Sequence, residues 1–513
     1  MLGKIEIHLS LATGKQRLVY AFLLGVHAVA GLAPLYWWPL FLISFAGLLV
    51  LLENPKSKKQ LFWTGWSYGF GYFTFGLYWI SFALHIDLAK WWWLIPFAAI
   101  GLPLVLSVYY GIAALCAWPE RGHRGRTILA LVIGFSLIEY LRGYLFTGFP
   151  WNLPAYIWLD TALAMQMSLI GAYGLTFISF GLAAILRLTL IRQSSAIIFI
   201  VLLGALWGGG YFIQIDNMTQ MQKTPTDTQV LLVQPNIPQI DKWNRDKFND
   251  NFEKLIRLSS GYSENNKPDI IIWPETALTW PIQYLDEIKP RLNEIIAPEQ
   301  ILISGILDYG ENDFFNSLIV LDDQAQIIEQ YNKFHLVPFG EYIPFRNYIS
   351  MGPIASALET TGDFSTGKGL STLQGINELS FSPLICYEII FPGKVYNTES
   401  RPNFIINVTN DGWYLNSAGP YQHLSISRAR AIESGLPVIR VANTGISAVI
   451  DPNGRILTRI ALSEEGATLA PLPSRVKATF YGRYKDLAFF SMAVILGFFL
   501  LATKLKRKQQ GFN

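Results

Sequence analysis

The chain is short of charge. Only 15% of its 513 residues are Asp, Glu, Lys or Arg, while 51% are hydrophobic and the mean hydropathy is +0.30. Globular domains carry about 25% charged residues, so a wholly water-exposed fold is excluded and part of the chain belongs in a bilayer. The charge that is present nearly balances, at a net +3, too little to imply nucleic acid as a partner. Two cysteines exclude a disulfide framework. The six histidines are scattered without ligand spacing, so no metal and no cofactor is expected. No internal repeat or low-complexity tract is present, which sets aside solenoids and tails.

What the chain has instead is long apolar runs. A spanning helix needs about 20 apolar residues, and spans are predicted near 17–33, 36–52, 61–83, 91–118, 128–146, 163–186, 195–214 and 486–503. The first two are parted only by Ala33-Pro34-Leu35 and could form one bent hairpin. Ala28-Val29-Ala30 mimics a signal-peptidase site, but a second span follows at once, so an uncleaved helix is expected. Basic residues cluster at Lys4, Lys15 and Arg17, at Lys56, Lys58 and Lys59, at Arg121, Arg124 and Arg126, at Arg187 and Arg192, and at Lys504, Lys506, Arg507 and Lys508. The intervening stretches 84–90 and 147–162 hold only Lys90 between them. This alternation puts both termini in the cytoplasm. It divides the chain into a seven-span membrane domain (1–214), an outer domain (215–485), and a last span with a basic tail (486–513). The 16 tryptophans suit interfacial belts.

The outer domain reads as layered α/β. Val/Ile-rich runs bounded by Pro, Gly and Asn predict strands at 229–234, 269–273, 301–306, 317–321, 326–330, 380–386, 404–409, 437–442, 446–450 and 455–460. Helices are expected at 244–260, 282–297 and 421–435, outside the sheets. Asp451-Pro452-Asn453-Gly454 is a hairpin turn. Residues 215–228 and 463–485 read as polar tethers to the membrane.

Cys386 ends an apolar run in Ser382-Pro383-Leu384-Ile385-Cys386-Tyr387-Glu388. Cys116, in the fourth span, lies on the other side of the bilayer, so the two cannot pair; a small apolar residue in a helix is its ordinary reading. Upstream of Cys386 come Glu275, after Ile271-Ile272-Trp273-Pro274, and Lys333, in Tyr331-Asn332-Lys333-Phe334-His335. A thiol, a base and a cation suit acyl transfer: the base takes the thiol proton, and the cation holds the oxyanion and lowers the thiol pKa. Each residue also has a plainer reading. A lone strand cysteine packs in cores, Glu275 fits a helix start, and Lys333 fits a solvated surface. Spacing alone does not choose.

Four ordered strings decide more: Trp273-Pro274-Glu275-Thr276-Ala277, Lys333-Phe334-His335-Leu336-Val337-Pro338-Phe339-Gly340-Glu341-Tyr342, Cys386-Tyr387-Glu388 and Asn410-Asp411-Gly412-Trp413. Together they resemble the carbon–nitrogen hydrolase (nitrilase) superfamily. With the spans and Phe146-Thr147-Gly148-Phe149-Pro150-Trp151, the chain resembles its membrane branch, the apolipoprotein N-acyltransferases. The resemblance implies an αββα sandwich beside the membrane helices and a Glu275–Lys333–Cys386 triad. It implies supporting roles for Glu341 beside the lysine, Tyr387 and Glu388 beside the nucleophile, and Trp243 on a loop near the site. It implies an acyl donor that is a glycerophospholipid such as phosphatidylethanolamine, an acceptor that is a diacylated apolipoprotein, and a place in the bacterial inner membrane with catalysis on the periplasmic side. Residues 345–370, apolar at Ile349, Met351, Ile354 and Leu358, are expected to form a lid dipping into the membrane.

Other signals weigh less. Gly362-Asp363-Phe364-Ser365-Thr366-Gly367-Lys368-Gly369 nearly matches a P-loop, but lacks its Ser/Thr and a preceding strand. His335 reads as structural, and Glu139 with Arg142 reads either as a pair or as a headgroup contact. The competing functions are a membrane-tethered amidase or nitrilase acting on a soluble amide, which leaves the spans unexplained, and a transporter, which would want more charge inside the first seven spans.

Overall fold

The computed structural model describes residues 8–86, 88–189, 193–262, 267–310, 313–344, 363–376 and 378–509. Helices occupy all eight apolar stretches. Seven precede the outer domain: α1 (Gly14–Val29), α2 (Trp38–Leu52), α3 (Lys58–Leu77), α4 (Ile95–Leu115), α5 (Arg124–Arg142), α6 (Met167–Thr189) and α7 (Gln193–Lys223). The first two are separate helices. Four segments among the described residues are long and apolar enough to cross a membrane by length and composition: Trp92–Glu120, Ala162–Thr189, Ser194–Lys223 and Leu487–Leu505. The third and fourth are barely covered by protein, with 6% and 11% of their apolar windows buried, as a lipid-facing helix requires.

The loops sort by charge. At one end of the bundle Glu53 meets Arg187 at 2.8 Å and Arg124 at 3.4 Å. Glu120 there meets Lys504 at 2.8 Å and Arg126 at 3.0 Å. The outer domain docks on the loops poor in basic residues, through Tyr36, Trp79, Trp151 and Asp160.

The outer domain is built of two sheets. The first has the order β13–β1–β2–β4–β5–β6, with β3 beside β4; the second runs β12–β11–β10–β9–β8–β7. The first sheet comprises β1 (Gln229–Gln234), β2 (Ile270–Ile272), β3 (Leu278–Pro281), β4 (Ile301–Tyr309), β5 (Phe314–Leu321), β6 (Ile327–Asn332) and β13 (Gly466–Pro471). The second comprises β7 (Leu373–Gln374), β8 (Ser380–Ile385), β9 (Phe404–Thr409), β10 (Val438–Ala442), β11 (Ser447–Ile450) and β12 (Ile456–Ile460). Strand alternation builds the layers. Val230, Leu232, Ile270 and Ile272 meet Ile385, Ile406, Val408 and Ile439 between the sheets. Leu231, Val233 and Ile271 turn to the helices α8 (Phe248–Ser259) and α9 (Leu285–Leu292). On the far side Leu384, Ile405 and Val438 pack under α10 (Ala418–Ser434), and that core runs on into the membrane helices. The result is an αββα sandwich whose second helix layer is also the docking layer. The Asp451–Gly454 turn joins β11 to β12, with Gly454 at φ +71°.

Several expectations are corrected. Residues 215–228 are not a tether: α7 continues to Lys223, and Asn217 donates to Asn453 of the hairpin turn at 2.8 Å. Nor is 463–485, because β13 pairs with β1 and sends Ala470 and Leu472 into the inter-sheet core. Its small residues hid the strand. The short strands β3 and β7 were missed, and α8 and α9 are shorter than the helices expected at 244–260 and 282–297. Most of the expected lid, and all four apolar residues named for it, lie outside the described residues. Glu139 and Arg142 form a buried pair in α5. Tyr110 donates to Glu139 at 2.6 Å, and Arg142 donates to the carbonyls of Phe149 and, at 2.9 Å, Trp151. That pair holds the loop after α5 in place.

Candidate active site

Three strand ends converge. Beyond β2 the chain turns at Trp273-Pro274 and presents Glu275, 7% exposed. The turn is packed tightly: Thr276 takes φ +46°, and Gly305 of β4 lies so close that a Cβ there would stand 2.3 Å from the Thr276 nitrogen. Only glycine admits this approach. Lys333 follows β6, 1% exposed, its N–H bound to Asn316 O of β5 at 2.9 Å. Cys386 follows β8, 8% exposed, with φ +53°.

The charges are arranged around the lysine. Lys333 Nζ lies 2.7 Å from Glu341 Oε1 and 3.7 Å from Glu275 Oε1. Asn316 Nδ2 bridges the two carboxylates, at 2.9 Å to Glu275 and 3.2 Å to Glu341. Glu341 also accepts from the Val337 N–H at 2.8 Å, which folds the lysine loop around it. Burial opposes the lysine charge, but Glu341 and Glu275 outweigh it and raise the Lys333 pKa, so it stays a cation. Cys386 departs from the expectation of an acidified thiol. Burial, helped by Glu275, pushes it up to about 12, and the downward pull of Lys333 does not compensate. Cys386 therefore rests as a thiol, and any attack by its sulfur would need a base to take the proton.

Glu388 ties the pieces together. Its Oε1 accepts from Tyr331 OH at 2.8 Å and from the N–H groups of Phe334 and His335 at 2.8 and 3.1 Å; its Oε2 accepts from Ile385 N–H at 2.7 Å. One carboxylate thus clamps the lysine loop to the Cys386 turn. Burial raises its pKa to about 7 against the pull of Ile385 N–H and Lys333. Tyr387 reaches the membrane half, donating from its hydroxyl to Gly148 O at 3.1 Å. His335 stacks on Phe391 at 3.8 Å and its ring bonds the Thr147 backbone; burial, with Lys394, lowers its pKa to about 4. It is a neutral structural ring.

Trp243 is 43% exposed and is not among the residues that close around the triad. Its neighbour Lys242 is. Lys242 is 2% exposed and donates to Glu275 O at 2.8 Å; burial, opposed by Glu275 and Cys386, lowers its pKa to about 8. Nothing in Gln239-Ile240-Asp241-Lys242-Trp243 marks this lysine beforehand, nor is Asn316 marked in β5. Asp411 belonged to a quoted string; its buried partners His423 and Arg440 did not.

The comparisons agree with this architecture. Residues 229–481 match the carbon–nitrogen hydrolase family, and residues 24–186 match the apolipoprotein N-acyltransferase N-terminal domain. The chain is 36% identical to the apolipoprotein N-acyltransferase of Rhizobium rhizogenes, with 92% of this chain and 94% of that one covered. It is 34% identical to that of Brucella melitensis, with 94% of each covered. For that of Rickettsia prowazekii the figures are 33%, 94% and 97%. A carbon–nitrogen hydrolase superfamily structure from Xanthomonas campestris aligns with 49% of this chain and 91% of its own, at 19% identity and TM-score 0.36. The chain belongs to the apolipoprotein N-acyltransferase family, a family of acyltransferases that join a membrane domain to a carbon–nitrogen hydrolase domain.

Proposed function

We propose that this enzyme moves an acyl chain from a glycerophospholipid to the α-amine of a diacylglyceryl-cysteine at a lipoprotein N-terminus, through a thioester on Cys386. Glu275 takes the thiol proton as sulfur attacks the ester carbonyl. Lys333 and the Tyr387 N–H hold the tetrahedral oxyanion. The carbon–oxygen bond breaks, Glu275 returns the proton to the departing lysophospholipid oxygen, and the thioester remains. The lipoprotein amine then attacks, giving its proton to Glu275, and collapse forms the amide while the proton returns to the sulfur. One hard transfer becomes two easier ones.

The observation that carries this reading is the contact between the nucleophile turn and the membrane half, Tyr387 OH to Gly148 O. It joins the Cys386 turn to the apolar bundle, which supports a lipid ester as the substrate. The same reading takes all eight helices as spans, with residues 215–485 on the periplasmic side of the inner membrane, opposite the basic loops. Phosphatidylethanolamine is the proposed donor.

Intact mass after incubation with phosphatidylethanolamine tests it. A gain of one acyl chain is expected, removable by hydroxylamine, absent in Cys386→Ala, present in Cys116→Ala, and cleared by a diacylated lipopeptide. No adduct with any phospholipid, together with turnover of a soluble amide, would replace this reading with an amidase.

A further inference from the structure

The oxyanion site is supported from behind by a buried polar network on β9, α10 and β10. Cys386 sits at φ +53° without being glycine, a costly conformation that persists only where its surroundings impose it. Its carbonyl oxygen shows what imposes it: Asn407 Nδ2 donates at 3.3 Å and His423 Nε2 lies at 3.2 Å. A carbonyl only accepts, so Nε2 carries the proton. Arg440 Nη2 lies 3.1 Å from His423 Nδ1 and 2.6 Å from Asp411 Oδ2, and Arg440 Nη1 donates to Asn407 Oδ1 at 2.6 Å. Asp411 Oδ1 stands 2.9 Å from His423 Nδ1. Both side chains that reach the Cys386 carbonyl are thus held by one guanidinium. All four residues are at most 1% exposed.

That carbonyl belongs to the same peptide as the Tyr387 N–H. A peptide is planar, with C=O and N–H pointing in opposite directions, so fixing the oxygen aims the hydrogen. Two donors on the oxygen also polarise the unit and strengthen the N–H as a donor. We propose that His423 and Asn407 are positioning residues for the oxyanion site, aiming the Tyr387 N–H through the Cys386 carbonyl, with Arg440 and Asp411 holding them in register. Both are assigned an action through the Cys386 carbonyl and no contact with substrate. The network also meets the membrane half: beside His423, Gln422 Oε1 accepts from the indoles of Trp151 at 2.8 Å and Trp79 at 3.1 Å.

The inference rests on Cys386 being the acylated nucleophile, and one experiment separates the two. Acylation by phospholipid passes through an oxyanion; alkylation by iodoacetamide does not. Both are followed by intact mass in detergent-purified enzyme. His423→Leu should slow thioester formation about 10²-fold, in the range of a lost oxyanion donor, with alkylation within about twofold of the unsubstituted protein. Asn407→Ser should show the same split. His423→Gln, whose amide can still donate to the carbonyl, should recover to within about tenfold. Alkylation and acylation falling together would make the network merely structural and overturn the inference, as would acylation unchanged in both His423→Leu and Asn407→Ser. Absence of a thioester in the unsubstituted enzyme would overturn the Cys386 reading and this one with it.

Discussion

In the membrane half, Glu139 meets Arg142 one to one. Both carboxylate oxygens are occupied, by Tyr110 and by the guanidinium, whose Nη atoms also donate to the backbone carbonyls of Phe149 and Trp151. In the outer half, Lys333 meets two carboxylates and holds them unequally, Glu341 at 2.7 Å and Glu275 at 3.7 Å. Both clusters are buried and both pay for desolvation. The first pairs one cation with one carboxylate and holds a loop. The second commits its cation to Glu341, which leaves Glu275 loosely held beside a thiol that burial keeps protonated. Two carboxylates share Lys333 here, and the one proposed as the base is the one it holds less tightly.

One isosteric substitution made in each cluster would break or sharpen that contrast. Glu275→Gln should cut thioester formation by about 10³-fold or more, the scale of a lost general base, and leave thermal stability nearly unchanged, because Asn316 and Lys333 keep polar partners. Glu139→Gln should do the reverse. It strands a buried guanidinium, at about 3–5 kcal/mol, visible as a fall in the melting temperature in detergent. The double substitution Glu139→Leu with Arg142→Leu should be milder than Glu139→Gln, since removing both charges removes the desolvation cost. Single-turnover acylation and thermal melts of the same preparations check both. Equal stability losses at Glu275 and Glu139 would erase the distinction.

Gly148 is where the two clusters meet, and the next effect is expected there. Arg142 fixes its loop from below, and Tyr387 binds its carbonyl from above. Gly148 sits at φ +85°, and a Cβ would lie 2.2 Å from Gly143 O. Gly148→Ala therefore forces the loop to move, since backbone atoms have no rotamer to retreat into. A stability loss of about 2 kcal/mol or more is expected, with acylation slowed about tenfold as Tyr387 loses its anchor. Acylation falling without any stability change would place the effect in substrate entry instead.

The sequence was legible where period and identity coincide. The Val/Ile strands and their alternation disclosed the sandwich. Glu275, Lys333, Glu341 and Cys386 stood in strings that name themselves; the structure brings Glu275, Lys333 and Cys386 to adjoining strand ends and folds Glu341 back onto the lysine. β13 was not legible because Gly466-Ala467-Thr468-Leu469 carries little hydrophobic contrast; its strand character comes from pairing with β1, distant in sequence, from Gln229 opposite Pro471 to Gln234 opposite Gly466. Asn316, Lys242, His423 and Arg440 were missed for a related reason. A polar residue in a strand or short helix looks the same in sequence whether it meets water or a buried partner, and only tertiary packing tells which. Trp243 shows the opposite error: it stood out as an aromatic, while the lysine beside it is the residue turned inward.

Lys242 offers the finest test of the same contrast, because it is a buried cation with no carboxylate of its own. It donates to the backbone oxygen of Glu275, and its pKa lies near 8 instead of the usual 10.5, burial being the main cause. Between those values the unfolded chain binds the proton and the folded one does not, so stability should rise as pH climbs from about 8 to 10.5. Below pH 8 both states are charged and the full penalty applies, about 3 kcal/mol for a shift of this size. Lys242→Met removes the titrating group, so the variant should gain stability over the parent near pH 7 and lose that advantage toward pH 10.5. Cys386 titrates oppositely, its raised pKa lowering stability above pH 9, but it is common to both proteins and cancels in the difference. Paired melts across pH 7 to 10.5 read that difference directly. A gap that stays constant with pH would mean that Lys242 remains a cation throughout, held by the Glu275 it faces, and the site would then contain a second permanent positive charge behind Glu275.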